Sequence, residues 1–154
     1  MKKIVLVDGH NLLFRMFYGI PSSIKNSNGK EIKGLVGFIG GIKRITSELN
    51  PYSLVVVFDS QTSKNNRIDY TDIPDNNNPF SQLFMIKNAL DLLKITYLEV
   101  ENYEADDYIS SIIYNNNGYQ YIIFSTDSDF IQLINNYTFL YITRGKKSIL
   151  YTEK

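Results

Sequence analysis

Apolar runs of strand length recur along the chain, and segments with helical spacing of apolar residues separate them. The runs are KIVLV, SLVVVF, TYLEV, YQYIIF and TFLYI. The helix-like segments are 11–19, 34–49, 80–94, 104–116 and 127–135. Continuous Val, Ile and Leu strands that alternate with helices predict an α/β fold, in which helices cover both faces of a mainly parallel central sheet.

Two stretches depart from this alternation. The sequence TRGKKS separates two apolar runs near the end of the chain and predicts a hairpin turn around Gly145. Residues 60–79 are polar and contain two prolines without clear periodicity, which predicts a functional loop or a surface excursion. The whole chain of 154 residues has the size of a single domain.

Composition excludes several classes of protein. The absence of cysteine excludes disulfides and thiolate zinc sites. Sixteen basic and sixteen acidic residues give zero formal charge, which argues against nucleic-acid binding through bulk electrostatics alone. The opening MKKIVLVDGH does not fit a signal peptide, and no apolar segment is long enough to span a bilayer, so we expect a cytoplasmic protein that does not bind membranes.

Carboxylates follow four of the five predicted strands, where each strand ends. Because the carboxyl ends of parallel strands meet at one edge of a sheet, which is where open α/β folds bind ligands, we expect these acids to converge. They are Asp8 after the first strand, Asp59 after the second, Glu104, Asp106 and Asp107 after the third, and Asp127 and Asp129 after the fourth.

Helix capping explains part of this pattern. The octapeptide NYEADDYI precedes an apolar helical run, and acids in a first turn gain roughly 0.3–1 kcal/mol each from the helix dipole. Capping does not explain four clusters at one edge, because carboxylates brought together repel one another unless cations neutralise them. Hard oxygen ligands select Mg²⁺ or Mn²⁺, and two such ions suit hydrolysis at phosphorus.

The motifs VDGHN, VVVFDS, NYEADDYI and STDSDFIQL occur in that order. With them the chain resembles the N-terminal nuclease domain of the 5'-3' exonuclease and flap endonuclease family, from about residue 3 to the end. The resemblance implies a three-layer PIN-like domain over 1–154 and Mg²⁺- or Mn²⁺-dependent cleavage of branched or 5'-ended DNA. RNA remains open as a second substrate.

The resemblance also assigns roles to residues. Asp8, Asp59, Glu104 and Asp106 match the acids around the first metal, with Asp107 beside them, while Asp127 and Asp129 match acids of the second metal. All seven are therefore expected to be catalytic metal ligands. The expected nucleic-acid contacts are Arg15, Gly37, Lys43, Arg44, Arg67 and Tyr70.

Two departures from the family pattern matter. The stretch TDIPDNNN replaces basic residues of a helical arch, so residues 60–79 are expected to form a loop or a shortened arch. Relatives also continue beyond ILYTEK into a helix-three-turn-helix DNA clamp that supplies two further acids. The second metal site is therefore expected to be weak, and a partner protein could supply the clamp.

Three other interpretations compete with a nuclease. A receiver domain leaves five of the acids unexplained, and a haloacid-type phosphatase needs an aspartate where His10 stands. A relative that binds metal or nucleic acid without cutting is the remaining alternative. His10 is expected near the cleft at the start of the first helix, outside the catalytic set.

Overall fold

The structure is a computed structural model that describes residues 1–60 and 74–153. Within these ranges six strands form one sheet in the order β3-β2-β1-β4-β5-β6. The first five strands run parallel to one another, and β6 pairs antiparallel with β5. The strands are β1 Lys2–Asp8, β2 Ser53–Phe58, β3 Thr96–Glu99, β4 Tyr119–Phe124, β5 Thr138–Arg144 and β6 Lys147–Tyr151.

Four α-helices and three 3₁₀-helices connect the strands in the described part of the chain. The α-helices are α1 Gly9–Gly19, α2 Lys33–Leu49, α3 Leu83–Leu92 and α4 Ala105–Asn115. The 3₁₀-helices are Asp75–Asn77, Pro79–Gln82 and Ser128–Leu133. None of the helices described is long and apolar enough to cross a membrane.

The alternation of side chains along β1 divides the core into two layers. Val5 and Val7 point to the face covered by α1, α2 and α3, where they pack with Phe38 and Ile86. Leu6 points to the opposite face and packs in the cluster that includes Ile109 of α4. Helices thus cover both faces of a mainly parallel sheet, which confirms the predicted α/β class.

The predicted strands and the turn at Gly145 are confirmed. Arg144 pairs with Lys147 across a two-residue turn, and Gly145 has a φ of 59°, a left-handed conformation that glycine adopts without steric cost. Most of the predicted loop at 60–79, residues 61–73, lies outside the described residues. Its last part contains the 3₁₀-helix Asp75–Asn77 and the start of the 3₁₀-helix Pro79–Gln82.

The helical segment predicted at 127–135 is wrong in type. The structure has a 3₁₀-helix at Ser128–Leu133 instead of an α-helix. Its bonds follow the tighter i to i+3 pattern, from Phe130 N–H to the Asp127 carbonyl and from Ile134 N–H to the Ile131 carbonyl. Ile134 has an extended conformation with a ψ of 130°, which ends the helix before β5 begins at Thr138, and Phe130 packs into the core.

Candidate metal centre

The carboxyl edge of the sheet collects the acids of the first three parallel strands. Asp8 is the last residue of β1 and pairs in register with Val57, so Asp59 follows two residues further along the neighbouring strand. Phe58 pairs with Glu99 of β3, whose chain then turns into the first residues of α4. The sheet register therefore places the ends of these strands beside one another.

Asp8 is the most buried of these carboxylates. Its residue is 9% exposed, and Ser125 Oγ donates a hydrogen bond of 2.9 Å to its Oδ2. Burial raises the pKa of Asp8 to about 7, and the charge of Asp59 adds to the increase, while hydrogen bonds from Ser125 and the Asn11 backbone oppose it. Asp8 is therefore a carboxyl group that holds a proton near neutral pH unless a cation takes its place.

Asp59 ties β2 to the start of α4. Its Oδ1 accepts a hydrogen bond of 2.6 Å from Ala105 N–H, and its Oδ2 lies 3.1 Å from His10 Nδ1. Burial raises the pKa of Asp59, but the hydrogen bonds from His10 and Ala105 outweigh this, so that its pKa lies below the ordinary value. Asp59 is therefore ionised beside a carboxyl group that resists ionisation.

The first turn of α4 holds the densest acidic group. One ligand atom each from Glu104, Asp106 and Asp107 lies within 4.8 Å of the others. Burial raises the pKa of Asp106, and the charges of Asp107, Glu104 and Asp59 raise it further, although the Asp107 backbone N–H counteracts them. Because Asp59 affects Asp106 electrostatically, these four carboxylates share one neighbourhood, and a divalent cation would neutralise their repulsion.

Asp127 and Asp129 occupy a separate part of the edge. Asp127 Oδ1 accepts a hydrogen bond of 2.9 Å from Asp129 N–H and so caps the 3₁₀-helix at Ser128–Leu133. Among residues 1–60 and 74–153, the compact group with metal-ligand spacing contains neither of them, nor Asp8 and Asp59. Asp127 N–H does bond to Ser125 Oγ at 3.1 Å, and Ser125 in turn bonds to Asp8.

Sequence reasoning missed two residues that position the acids. Asn11 exchanges two hydrogen bonds with Thr126, of 2.8 and 3.0 Å, and so joins the start of α1 to the end of β4. Ser125 links Asp8 to Asp127. The available signal was proximity in sequence, since both polar residues stand within three positions of a motif acid.

His10, at the start of α1, contacts Asp59. It is 8% exposed, its Nδ1 accepts a hydrogen bond of 2.9 Å from Asp59 N–H, and its ring contacts Phe14, Phe58 and Phe80. Nδ1 can accept from that amide or, when protonated, donate to Asp59 Oδ2, but it cannot do both. His10 lies near the cleft as expected, and it also supports a candidate ligand.

The residues expected to contact nucleic acid fall in different places. Arg15 Nη2 donates to the carbonyl oxygen of Thr143, and Arg44 forms an ion pair of 2.8 Å with Glu48. Lys43 lines a groove of about 620 Å³ with Ser53 and Thr96, the first residues of β2 and β3, at the edge opposite the acids. Arg67 and Tyr70 lie outside the described residues.

Gly37 lies at the crossing of α1 and α2. A Cβ atom built on it would lie 2.6 Å from the Cβ of Met16, a contact that no side-chain rotation relieves. We therefore expect Gly37→Ala to destabilise the fold by about 1–3 kcal/mol through overpacking, measured by denaturant unfolding.

Gly40 provides the matched control on the same helix, because a Cβ there would meet no other atom within 4 Å. Gly40→Ala should stabilise the protein by about 0.5–1 kcal/mol through helix propensity. Equal effects of the two substitutions would show that close packing is not the role of Gly37.

The fold and the acidic edge define a class of α/β domain that presents carboxylates at the carboxyl ends of parallel strands. Residues 3–154 match the family described as 5'-3' exonuclease, N-terminal resolvase-like domain. The chain belongs to this family, as the sequence motifs predict.

Named relatives agree with this assignment. The chain is 30% identical over 142 residues to the 5'-3' exonuclease of Aquifex aeolicus. The aligned region covers 88% of this chain and 49% of that protein. It is 29% identical over 150 residues to DNA polymerase I of Bacillus subtilis, covering 93% of this chain and 17% of the polymerase. The chain thus spans half or less of the length of these relatives.

Solved structures share the fold. The T5 5'-exonuclease with bound zinc ions superposes with a TM-score of 0.67 at 18% sequence identity, covering 96% of this chain and 58% of that one. A bacteriophage T5 flap endonuclease in a complex with DNA and metal ions gives a TM-score of 0.65 at 18% identity, covering 96% and 57%. At this identity the likeness establishes the architecture.

Proposed function

We propose that this domain is a divalent-metal-dependent 5' nuclease that hydrolyses phosphodiester bonds of DNA. The observation that carries the proposal is the convergence of Glu104, Asp106 and Asp107 within 4.8 Å, beside Asp59 at the carboxyl edge of the sheet. Relatives named 5'-3' exonuclease and a structural neighbour solved with DNA and metal ions support the same activity.

The donor set fits Mg²⁺ or Mn²⁺, because it consists of carboxylate oxygens and the chain has no cysteine. Glu104, Asp106 and Asp107 would hold the first ion, with Asp59 oriented toward the same place by Ala105 N–H. Asp8 would exchange its proton for the charge of the ion. Such ions supply activated water and stabilisation of the departing oxygen in phosphodiester hydrolysis.

The second ion would rest on Asp127 and Asp129, and we propose that it binds weakly. Asp127 already uses one carboxylate oxygen to cap Asp129 N–H, and the pair stands apart from the compact acidic group. Activity should therefore rise at high metal concentration, and carboxylate ligands suit Mn²⁺ as well as Mg²⁺, so we expect it to rise with Mn²⁺ too. A partner protein that supplies a DNA clamp should raise activity by holding the substrate in place.

The alternative is a member of the family that binds metal and nucleic acid without cutting. The observation in its favour is the same engagement of Asp127 in helix capping, which leaves the second ion few free ligands. The two functions differ in one measurable property, which is the hydrolysis of DNA at saturating metal.

The test is cleavage of a 5'-labelled flap DNA during a titration of Mg²⁺ and then of Mn²⁺. We expect cleavage that depends on metal and falls by about 100-fold or more in Asp106→Asn, beyond the 10–100-fold typical of losing a residue that only supports a ligand. Asp127→Asn should require more metal for the same rate, since it weakens the second site.

Asp91→Asn is the matched control, because Asp91 is an exposed acid on α3 and the substitution makes the same charge change. It should leave cleavage unchanged. If the protein binds Mn²⁺ but does not cut the flap at saturating metal, the non-catalytic alternative replaces the nuclease.

A further inference from the structure

The turn between β5 and β6 presents a group of cations outside the metal centre. Arg144, Lys146 and Lys147 stand in or beside the turn, and all three are exposed. In the described chain, no residue accepts a hydrogen bond or forms an ion pair with any of their side chains. Other cations of the described chain are engaged with the protein itself: Lys3 donates to the Leu49 carbonyl oxygen, and Lys87 pairs with Glu99.

Two further arginines hold the turn in place from behind. Arg15 donates to the carbonyl oxygen of Thr143, at the end of β5. Arg44 donates to the carbonyl oxygens of Gly145 and, at 3.2 Å, of Lys147. The turn is therefore fixed by side chains of α1 and α2 and is not a freely moving tip.

These contacts concentrate positive charge. The pKa of Arg15 is lowered by burial and then by the charges of Arg144 and Arg44, so the three guanidinium groups lie close together. Glu48 offsets part of this charge: its carboxylate pairs with Arg44 and accepts a hydrogen bond of 2.8 Å from Ser148 Oγ. Clustered like charges are unfavourable, and an anion that binds the outward-facing members would relieve the repulsion.

The turn projects from the same edge of the sheet as the acids. Phe124 of β4 pairs with Tyr141 of β5, so Asp127 and Arg144 each follow three residues beyond a paired position. Neighbouring strands lie about 4.7–4.9 Å apart, so the cations flank the acidic edge on its β5 side. The acids of the edge repel a polyanion wherever metal ions do not neutralise them. The cations of the turn attract the same polyanion.

We propose that Arg144, Lys146 and Lys147 bind the phosphodiester backbone of the DNA whose reacting phosphate lies at the acidic edge. This inference rests on the proposed nuclease function and adds the surface that holds the substrate beside the metal centre. Lysine and arginine contacts to phosphates fix the position of a strand without reading its sequence.

The test compares two double substitutions that remove the same charge. Lys146→Gln with Lys147→Gln removes two of the three positive charges of the turn and leaves the backbone carbonyl oxygens that Arg44 binds. Lys2→Gln with Lys94→Gln is the control, because Lys2 begins β1 and Lys94 precedes β3, which places both exposed lysines at the opposite edge of the sheet.

The measurement is binding of a flap DNA by fluorescence anisotropy over a range of salt concentrations, with EDTA present so that no cleavage occurs. Each lysine–phosphate interaction that a substitution removes should reduce the slope of log Kd against log salt by about 0.9 for duplex DNA. The turn variant should therefore show a slope shallower by up to roughly 1.8, with equal weakening of binding to unrelated sequences. The control should retain the original slope.

A turn variant with the slope and Kd of the control would overturn the proposal, as would a wild-type protein that does not bind DNA. Because binding is measured without metal, its outcome is separate from that of the cleavage assay. If the protein cuts DNA but the turn variant has an unchanged slope, the nuclease function stands and the binding surface is wrong. If the turn variant has a shallower slope but the protein does not cut DNA, the binding surface stands and the nuclease function is wrong.

Discussion

Asp8→Asn is expected to make the metal-free protein more stable at pH 8, by as much as about 4 kcal/mol. The reason is the raised pKa of Asp8, about 7 against an ordinary value of 3.8, which burial causes. At pH 8 the native state must hold this buried carboxylate in its charged form. An asparagine side chain avoids that cost and still accepts from Asn11 N–H, while its amide group donates to Ser125 Oγ.

The sign follows from proton linkage. Between pH 3.8 and about 7, Asp8 binds a proton in the native state but not in the unfolded chain. The free energy of unfolding of the metal-free wild type should therefore decrease as pH rises through this window and level off above it. The raised pKa of Asp106 acts in the same direction, so the slope in Asp8→Asn should be reduced but not abolished.

Metal narrows this difference in stability. A cation that binds only the native state stabilises it by about 2.7 kcal/mol at a hundredfold excess over the dissociation constant. The wild type should gain this at pH 8, and Asp8→Asn should gain much less. Urea unfolding from pH 4 to 8, with and without Mn²⁺, measures both effects. A variant that matches the wild type in pH slope and in metal response would show that Asp8 is neither strained by burial nor a ligand.

His10→Ala should weaken metal binding by about 10–100-fold, the loss typical of residues that orient a ligand. His10 Nδ1 accepts from Asp59 N–H at 2.9 Å, so it fixes the backbone from which the Asp59 carboxylate projects. Removing the ring leaves the Asp59 amide without this acceptor and allows the carboxylate to turn away from the acidic group.

His10→Asn separates positioning from packing. The ring of His10 packs against Phe58 and Phe80, with centroids 5.6 and 5.3 Å away, and both substitutions remove that packing. Only asparagine keeps an acceptor near the position of Nδ1. Calorimetric Mn²⁺ titration should therefore show affinity largely restored in His10→Asn, although unfolding shows both variants destabilised. Equal affinities in the two variants would assign His10 to packing alone.

The sequence predicted most of the secondary structure because burial on two faces leaves a strong periodic signal. Continuous apolar runs such as SLVVVF mark strands covered on both sides, and the segment 34–49 differs by one residue at its start from α2. The segment 127–135 was assigned the wrong helix type, since the apolar spacing that places Phe130 in the core does not distinguish an α-helix from a short 3₁₀-helix.

The sequence by itself determined the class of fold and the edge at which the acids meet, because strand polarity and motif order fix which ends of the strands carry them. Only the tertiary structure decided which acids form a compact group, which are buried and which cap a helix. It grouped Glu104, Asp106 and Asp107, buried Asp8 beside Ser125, and engaged Asp127 in capping. It also brought Arg15 and Arg44 to the β5–β6 turn, although each lies more than 100 positions before the residue that it contacts there. Burial and contacts between distant segments set these features, and neither leaves a local pattern in the sequence.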